Sequence, residues 1–72
     1  MSVNNFAAID LGSNNCRLLI AVARNNTFHV IDSFSQIVRL GEGLKKGFNL
    51  NDNAIARTIE ALKICKNKIK AK

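Results

Sequence analysis

The sequence of 72 residues contains no proline, tryptophan or tyrosine, only five acidic residues and only two cysteines. It has no apolar run near the ~20 residues that a membrane span requires. Its N-terminus also lacks the basic and apolar regions of a secretory signal, so we expect a cytoplasmic protein that does not enter a membrane. Two cysteines allow one disulfide at most, and reduced thiols are the simpler interpretation. A chain of this length forms at most one small domain.

The net charge is +6, but five of the eleven basic residues fall within the last ten positions. The other six basic residues nearly balance the five acidic ones. The aromatic residues are four phenylalanines, so few rings are present to stack on bases. A lysine-rich stretch of this kind is typical of a solvated helix end. We therefore do not expect a nucleic-acid partner.

Apolar runs separated by turn residues predict three strands, a loop and one helix. Because the connections between the strands are short, we expect an antiparallel meander. Asn25-Asn26 suits a hairpin turn that requires positive φ angles. The predicted strands are 6–11, 16–23 and 28–34, joined by turns at 12–15 and 24–27 and followed by an extended segment at 35–40 and a glycine-rich loop at 41–47.

The helix is predicted over 52–69. Asn51 is a favourable N-cap, and Leu50 and Ile55 have the spacing of a hydrophobic staple. The helix is amphipathic and should cover one face of the sheet, with Arg57 among the polar residues on its other side. Its predicted apolar stripe consists of Ile55, Ile59, Leu62 and Ile69, with Thr58 and Cys65 at the edge.

The turn after the first strand carries the residues best suited to chemistry. Asp10 ends an apolar run and offers oxygen ligands of the kind that Mg²⁺ accepts. Gly12 leaves the backbone open, so the N–H groups of Gly12, Ser13 and Asn14 could converge on a phosphate, and Arg17 could fork onto a second one. The alternative is a hairpin whose Asp, Gly and Asn serve only its geometry. Asp10 favours a functional turn, because an unpaired charge at the end of a buried strand is costly.

The stretch FAAIDLGSNNCRLLIA resembles the first phosphate-binding motif of the actin, heat-shock chaperone and sugar-kinase superfamily. More narrowly, it resembles the exopolyphosphatase and guanosine pentaphosphate phosphohydrolase (Ppx/GppA) family. The later stretches DSFSQIVRLGEGL and LNDNAIARTIEALKICKNKI resemble the same family in the same order. The resemblance covers nearly the whole chain.

This resemblance implies an α/β, RNase-H-like (actin-like ATPase) fold: a three-stranded antiparallel meander, a loop, and one amphipathic helix packed on the sheet. It implies Mg²⁺-dependent hydrolysis of phosphoanhydride bonds in polyphosphate or guanosine pentaphosphate. It assigns Asp10 a catalytic role in positioning the metal and the attacking water. The other implied site residues are Gly12, Ser13, Asn14 and Arg17 for phosphate binding, and Arg39, Gly41 and Gly43 for a positioning loop.

The family's catalytic glutamate and second phosphate loop are not found in residues 1–72, which we expect to be a partial domain from the N-terminal portion of a family member. Hydrolysis needs a positioned base besides the phosphate cradle, so we expect no turnover by this chain alone. The missing remainder on a separate chain would then be a partner. Two alternatives stay open: a non-catalytic phosphate- or nucleotide-binding remnant, and the start of a sugar-kinase or chaperone-type ATPase. We also expect a marginal monomer that tends to associate.

Overall fold

The computed structural model describes residues 4–41 and 51–72. Three antiparallel strands form one sheet in the order β1-β2-β3, which confirms the predicted meander. β3 extends beyond the predicted end at residue 34, and Asn15 belongs to β2 instead of the preceding turn. The elements are β1 (Asn5–Leu11), β2 (Asn15–Arg24), β3 (Thr27–Ile37) and α1 (Asp52–Lys70).

The β2–β3 connection is the predicted two-residue hairpin turn. Asn25 and Asn26 have φ angles of 52° and 63°, in the left-handed region. Two consecutive positive φ angles match the right-handed twist of the flanking strands, and asparagine tolerates this region better than most residues. The two asparagines therefore fix the register of the second hairpin.

β2 is the central strand and carries most of the core. Its side chains alternate between a buried face against α1 and an opposite face on which Arg17 and Leu19 are exposed. We call this second surface the open face of the sheet. The core cluster consists of Cys16, Leu18, Ile20, Val38, Ala61 and Cys65, with Phe34, Leu40, Leu62 and Ile69 packed against it.

α1 begins as predicted at the N-cap Asn51, whose Oδ1 accepts from the N–H groups of Asn53 and Ala54 at 2.8 and 3.2 Å. The predicted staple partner Leu50 lies outside the described residues. The predicted apolar stripe was wrong at Ile59, whose side chain is 48% exposed. The side chains that face the sheet are small, which allows close approach of the helix. The buried helical residues are Ala54, Thr58, Ala61 and Cys65.

β1 lies at an edge of the sheet and is the main departure from expectation. Six of its seven residues are exposed, although the sequence predicts a buried strand. On the open face, the exposed rings of Phe6 and Phe28 meet edge to face with centroids 5.5 Å apart.

In the described part of the chain, no helix is long and apolar enough to cross a membrane.

The lysine-rich end of α1 folds back toward the sheet. The Nζ atoms of Lys68 and Lys72 lie 3.6 and 4.0 Å from Asp32 Oδ2 on β3. The Asn5 side-chain amide donates to the Lys72 carbonyl at 3.2 Å. Part of the C-terminal positive charge is therefore used in contacts between the helix end and the sheet.

Candidate phosphate-binding turn

Asp10 and Arg17 are brought together by the first hairpin. They are directly opposite each other in the β1–β2 register, and both lie on the open face. No ion pair within 4.0 Å joins them, so each retains capacity to bind a ligand. They share a cavity of about 280 Å³ at the turn, lined by Asp10, Gly12, Asn14, Asn15 and Arg17.

The backbone of the turn offers fewer donors than predicted. The Gly12 N–H donates to the Asn15 carbonyl at 2.9 Å, which closes the hairpin. The prediction that this N–H faces a phosphate is therefore wrong. The N–H groups of Ser13 and Asn14 make no hydrogen bond to any residue that the structure describes. These two groups are the backbone donors that remain for an anion.

Gly12 is not required by the local geometry. Its φ angle lies outside the left-handed region, so the turn does not use the conformational freedom of glycine. A Cβ atom built there would meet only the Asn15 carbonyl oxygen, at an ordinary 3.7 Å. Hairpin geometry alone therefore does not explain this glycine. The absence of a side chain leaves the backbone open at this position.

The segment after β3 holds the turn from behind. The Asn14 carbonyl accepts from the N–H groups of Val38 and Arg39 at 2.7 and 3.0 Å, and the Ser13 carbonyl accepts from Gly41 at 2.9 Å. With these carbonyls engaged, the conformation of the turn is fixed. Arg39 has a φ of 51°, an uncommon value for a residue with a side chain.

Gly41 is needed for this close approach. A Cβ atom at Gly41 would lie 3.3 Å from the Ser13 Cβ, which is tighter than most contacts of this kind. Ser13 is placed against Gly41 and is not among the residues that line the cavity. The third predicted member of the positioning loop, Gly43, lies outside the described residues.

Sequence reasoning missed two serines beside the site. Ser35 is opposite Arg17, and Ser33 is opposite Leu19, so both serines lie on the open face. They line a second cavity of about 520 Å³ that also includes Asp10 and Arg17. The two-residue spacing of Ser33 and Ser35 on a strand is the signal that could have placed them on one face.

Arg57 was also missed, because helical periodicity placed it on the solvent side of α1. Its side chain is half-buried, and its Nε donates to the Val38 carbonyl at 2.9 Å. Val38 in turn donates to the Asn14 carbonyl. Arg57 therefore connects the helix to the segment that supports the turn.

Asp10 is the acidic residue among those that line the cavity at this turn. Among the described residues, no three histidine, cysteine or acidic side chains gather into a metal site. Mg²⁺ is commonly bound by one or two carboxylates together with substrate phosphates and waters. A single carboxylate beside a cavity of about 280 Å³ is compatible with that mode of binding.

The described residues form an α/β arrangement, in which one helix packs on a three-stranded antiparallel sheet. No family model matches the chain. The chain is 42% identical over 67 residues to exopolyphosphatase 2 of Mycobacterium tuberculosis, covering 86% of this chain and 21% of that protein.

Two solved structures have the same fold. The Ppx/GppA phosphatase of Aquifex aeolicus superposes with a TM-score of 0.91 at 32% identity, over 96% of this chain and 23% of the other. An exopolyphosphatase from Cytophaga hutchinsonii gives a TM-score of 0.85 at 29% identity, over 93% of this chain and 22% of the other.

These matches confirm the family resemblance that the sequence shows. The chain belongs to the Ppx/GppA phosphatase family and has the actin-like ATPase fold. It spans about a fifth of the length of the exopolyphosphatases that it matches.

Proposed function

We propose that this chain supplies the first phosphate-binding turn of a Mg²⁺-dependent phosphoanhydride hydrolase that acts on polyphosphate or guanosine pentaphosphate. The observation that supports the proposal is the shared cavity of Asp10, Gly12, Asn14 and Arg17 at the end of the first hairpin. Its opening is lined by one carboxylate and one guanidinium, and two free N–H groups belong to the same turn. This donor set suits a phosphate chain with an associated cation.

Each residue has a separate task in this proposal. The Asp10 carboxylate would hold the cation, which would neutralise phosphate charge when bound. The same carboxylate would orient water at the phosphate. The N–H groups of Ser13 and Asn14 donate to one phosphate, and the Arg17 guanidinium donates to a neighbouring phosphate. Arg39 and Gly41 act on the ligand indirectly, by fixing the turn through its carbonyls.

The binding test compares two arginines of the same strand. Arg17 lines the cavity, whereas Arg24 lies at the opposite end of β2, beside the second hairpin. Calorimetric titration with polyphosphate and Mg²⁺ should show at least a tenfold loss of affinity for Arg17→Ala, and a similar loss for Asp10→Ala. Arg24→Ala should bind like the wild type. Equal losses for the two arginine variants would indicate binding by net charge alone and refute the proposed site.

We propose that the chain does not hydrolyse these substrates by itself. Glu60, the one glutamate among the described residues, is exposed on α1, where it pairs with Lys63 at 3.4 Å. No described glutamate is therefore placed as a base at the turn. Purified chain incubated with polyphosphate and Mg²⁺ should release no phosphate. Release that disappears in Asp10→Ala would overturn this proposal.

We also propose a polypeptide partner that carries the remainder of the domain, because one edge of β1 is exposed. The Ala23 N–H donates to the Asn4 carbonyl, and the Gly12 N–H donates to the Asn15 carbonyl, each at 2.9 Å. Because hydrogen-bonded pairs alternate in an antiparallel ladder, the even-numbered residues of β1 bond to β2. The backbone groups of the odd-numbered residues therefore point away from the sheet and are available to another strand.

Complementation tests this partner. A family member from which the matching segment has been deleted is mixed with this chain, and phosphate release from polyphosphate is measured. We expect activity with the wild-type chain and loss of activity with Ala7→Pro, which removes an outward N–H without removing a β1–β2 hydrogen bond. Full activity with Ala7→Pro would show that the edge of β1 is not the contact.

A further inference from the structure

Cys16 and Cys65 come together in the core, although they are far apart in sequence. Cys16 is near the start of β2 on the side that faces α1, and Cys65 lies on the sheet-facing line of the helix. Both side chains are completely buried and belong to the same core cluster. Both are free cysteines, and Cys16 is close enough to help raise the pKa of the Cys65 thiol.

We propose that these two residues form a redox-sensitive pair, which a small-molecule disulfide such as oxidised glutathione converts into a Cys16–Cys65 disulfide. One cysteine thiolate attacks a sulfur of the small disulfide, forming a mixed disulfide and releasing one small thiolate. The second cysteine thiolate attacks the mixed disulfide and releases the other small thiolate. The two protons from the cysteines end on the released thiols, so one disulfide is consumed and one is formed.

The location of the pair determines its effect. Cys16 follows Asn15, whose carbonyl closes the turn, and Cys65 lies in the second half of α1. A bond between them would tie the start of the central strand directly to the helix. In the core cluster, the fully buried residues that α1 places with those of β2 are the small Ala61 and Cys65. A cross-link should therefore add substantially to their association.

Burial sets the kinetics of the exchange. Burial raises the pKa of the Cys65 thiol above its ordinary value of 9.0, and the neighbouring Cys16 adds to this effect. The reactive thiolate is therefore scarce at neutral pH, and neither sulfur is accessible until the helix end opens locally. We expect oxidation to take minutes to hours and to accelerate with pH.

Intact-mass spectrometry and urea denaturation test the proposal on the full chain. After incubation with oxidised glutathione at mildly alkaline pH, the wild type should lose the mass of two hydrogens while remaining a monomer. Its urea midpoint should rise by roughly 2 M and return when a thiol reductant is added. Cys16→Ala and Cys65→Ala should each yield only a glutathione adduct.

Two outcomes would overturn the proposal. The first is oxidised wild-type protein that carries only glutathione adducts or intermolecular disulfides, which would mean that the two sulfurs do not bond. The second is an internal disulfide whose urea midpoint equals or falls below that of the reduced protein, since such a bond would not fit the native core. Both readouts use the wild-type chain and therefore do not depend on the folding of the alanine variants.

Discussion

Replacing Arg39 by glycine should stabilise the protein, because the backbone at this position is left-handed. Arg39 has a φ of 51°, its side chain is exposed, and its N–H donates to the Asn14 carbonyl at 3.0 Å. The left-handed conformation costs a residue with a side chain about 1–2 kcal/mol. Glycine avoids this cost but loses about 0.5–1 kcal/mol more backbone entropy on folding. With the middle of each range, the expected net gain for Arg39→Gly is therefore about 0.75 kcal/mol.

The comparison that isolates the backbone effect is with Arg39→Ala, which also removes the guanidinium but retains a Cβ. Urea denaturation should place the midpoint of Arg39→Gly roughly 0.5 M above that of Arg39→Ala, with an unchanged m-value. If Arg39→Gly were equal to or less stable than Arg39→Ala, the left-handed conformation would not be the cost. We also expect both variants to bind polyphosphate alike, since Arg39 acts through the backbone of the turn.

Three further predictions concern the cap, the glycines and the core thiol. Asn51→Ala should lower the unfolding free energy by about 1 kcal/mol in urea denaturation, because two helix N–H groups lose their acceptor, and an unchanged stability would refute the cap. Gly41→Ala should lower the thermal midpoint, because the added Cβ would lie 3.3 Å from the Ser13 Cβ. Gly12→Ala should leave the thermal midpoint unchanged and weaken polyphosphate binding. The reverse pattern would contradict these roles. The raised pKa of Cys65 means that the folded chain holds the thiol proton more tightly than the unfolded chain does. The contribution of this proton to folding stability is therefore complete below pH 9.0 and is lost as the pH rises further. Urea denaturation at increasing pH should therefore show a shrinking difference in unfolding free energy between the wild type and Cys65→Ala above pH 9.0. A difference that does not change with pH would argue against a raised pKa of Cys65.

Local signals in the sequence predicted the architecture well. The asparagine pair at the second hairpin and the N-cap at Asn51 depend only on backbone conformations within a few residues. The antiparallel pairing of three strands follows from short connections. Asp10 and Arg17 were correctly expected near the same turn, because a tight hairpin places residues on either side of it opposite each other.

Features that depend on tertiary contacts could not be predicted in the same way. The buried line of α1 passes through alanines, a threonine and a cysteine, because the distance between helix and sheet decides which side chains fit. The hydrogen bond of the Gly12 N–H depends on how the hairpin closes. Arg57 was assigned to solvent because helical periodicity cannot show that the segment after β3 offers it a carbonyl.

Along β1, the side chains on the open face and the backbone groups at the exposed edge belong to alternate residues. Side chains of Phe6, Ala8 and Asp10 project onto the open face, while the intervening residues direct their backbone groups sideways. Side-chain substitutions at even positions can therefore alter ligand binding and leave the outward hydrogen-bonding groups unchanged. Proline at an odd position does the opposite. The side chains and the outward backbone groups of β1 can therefore be changed independently of each other by substitution.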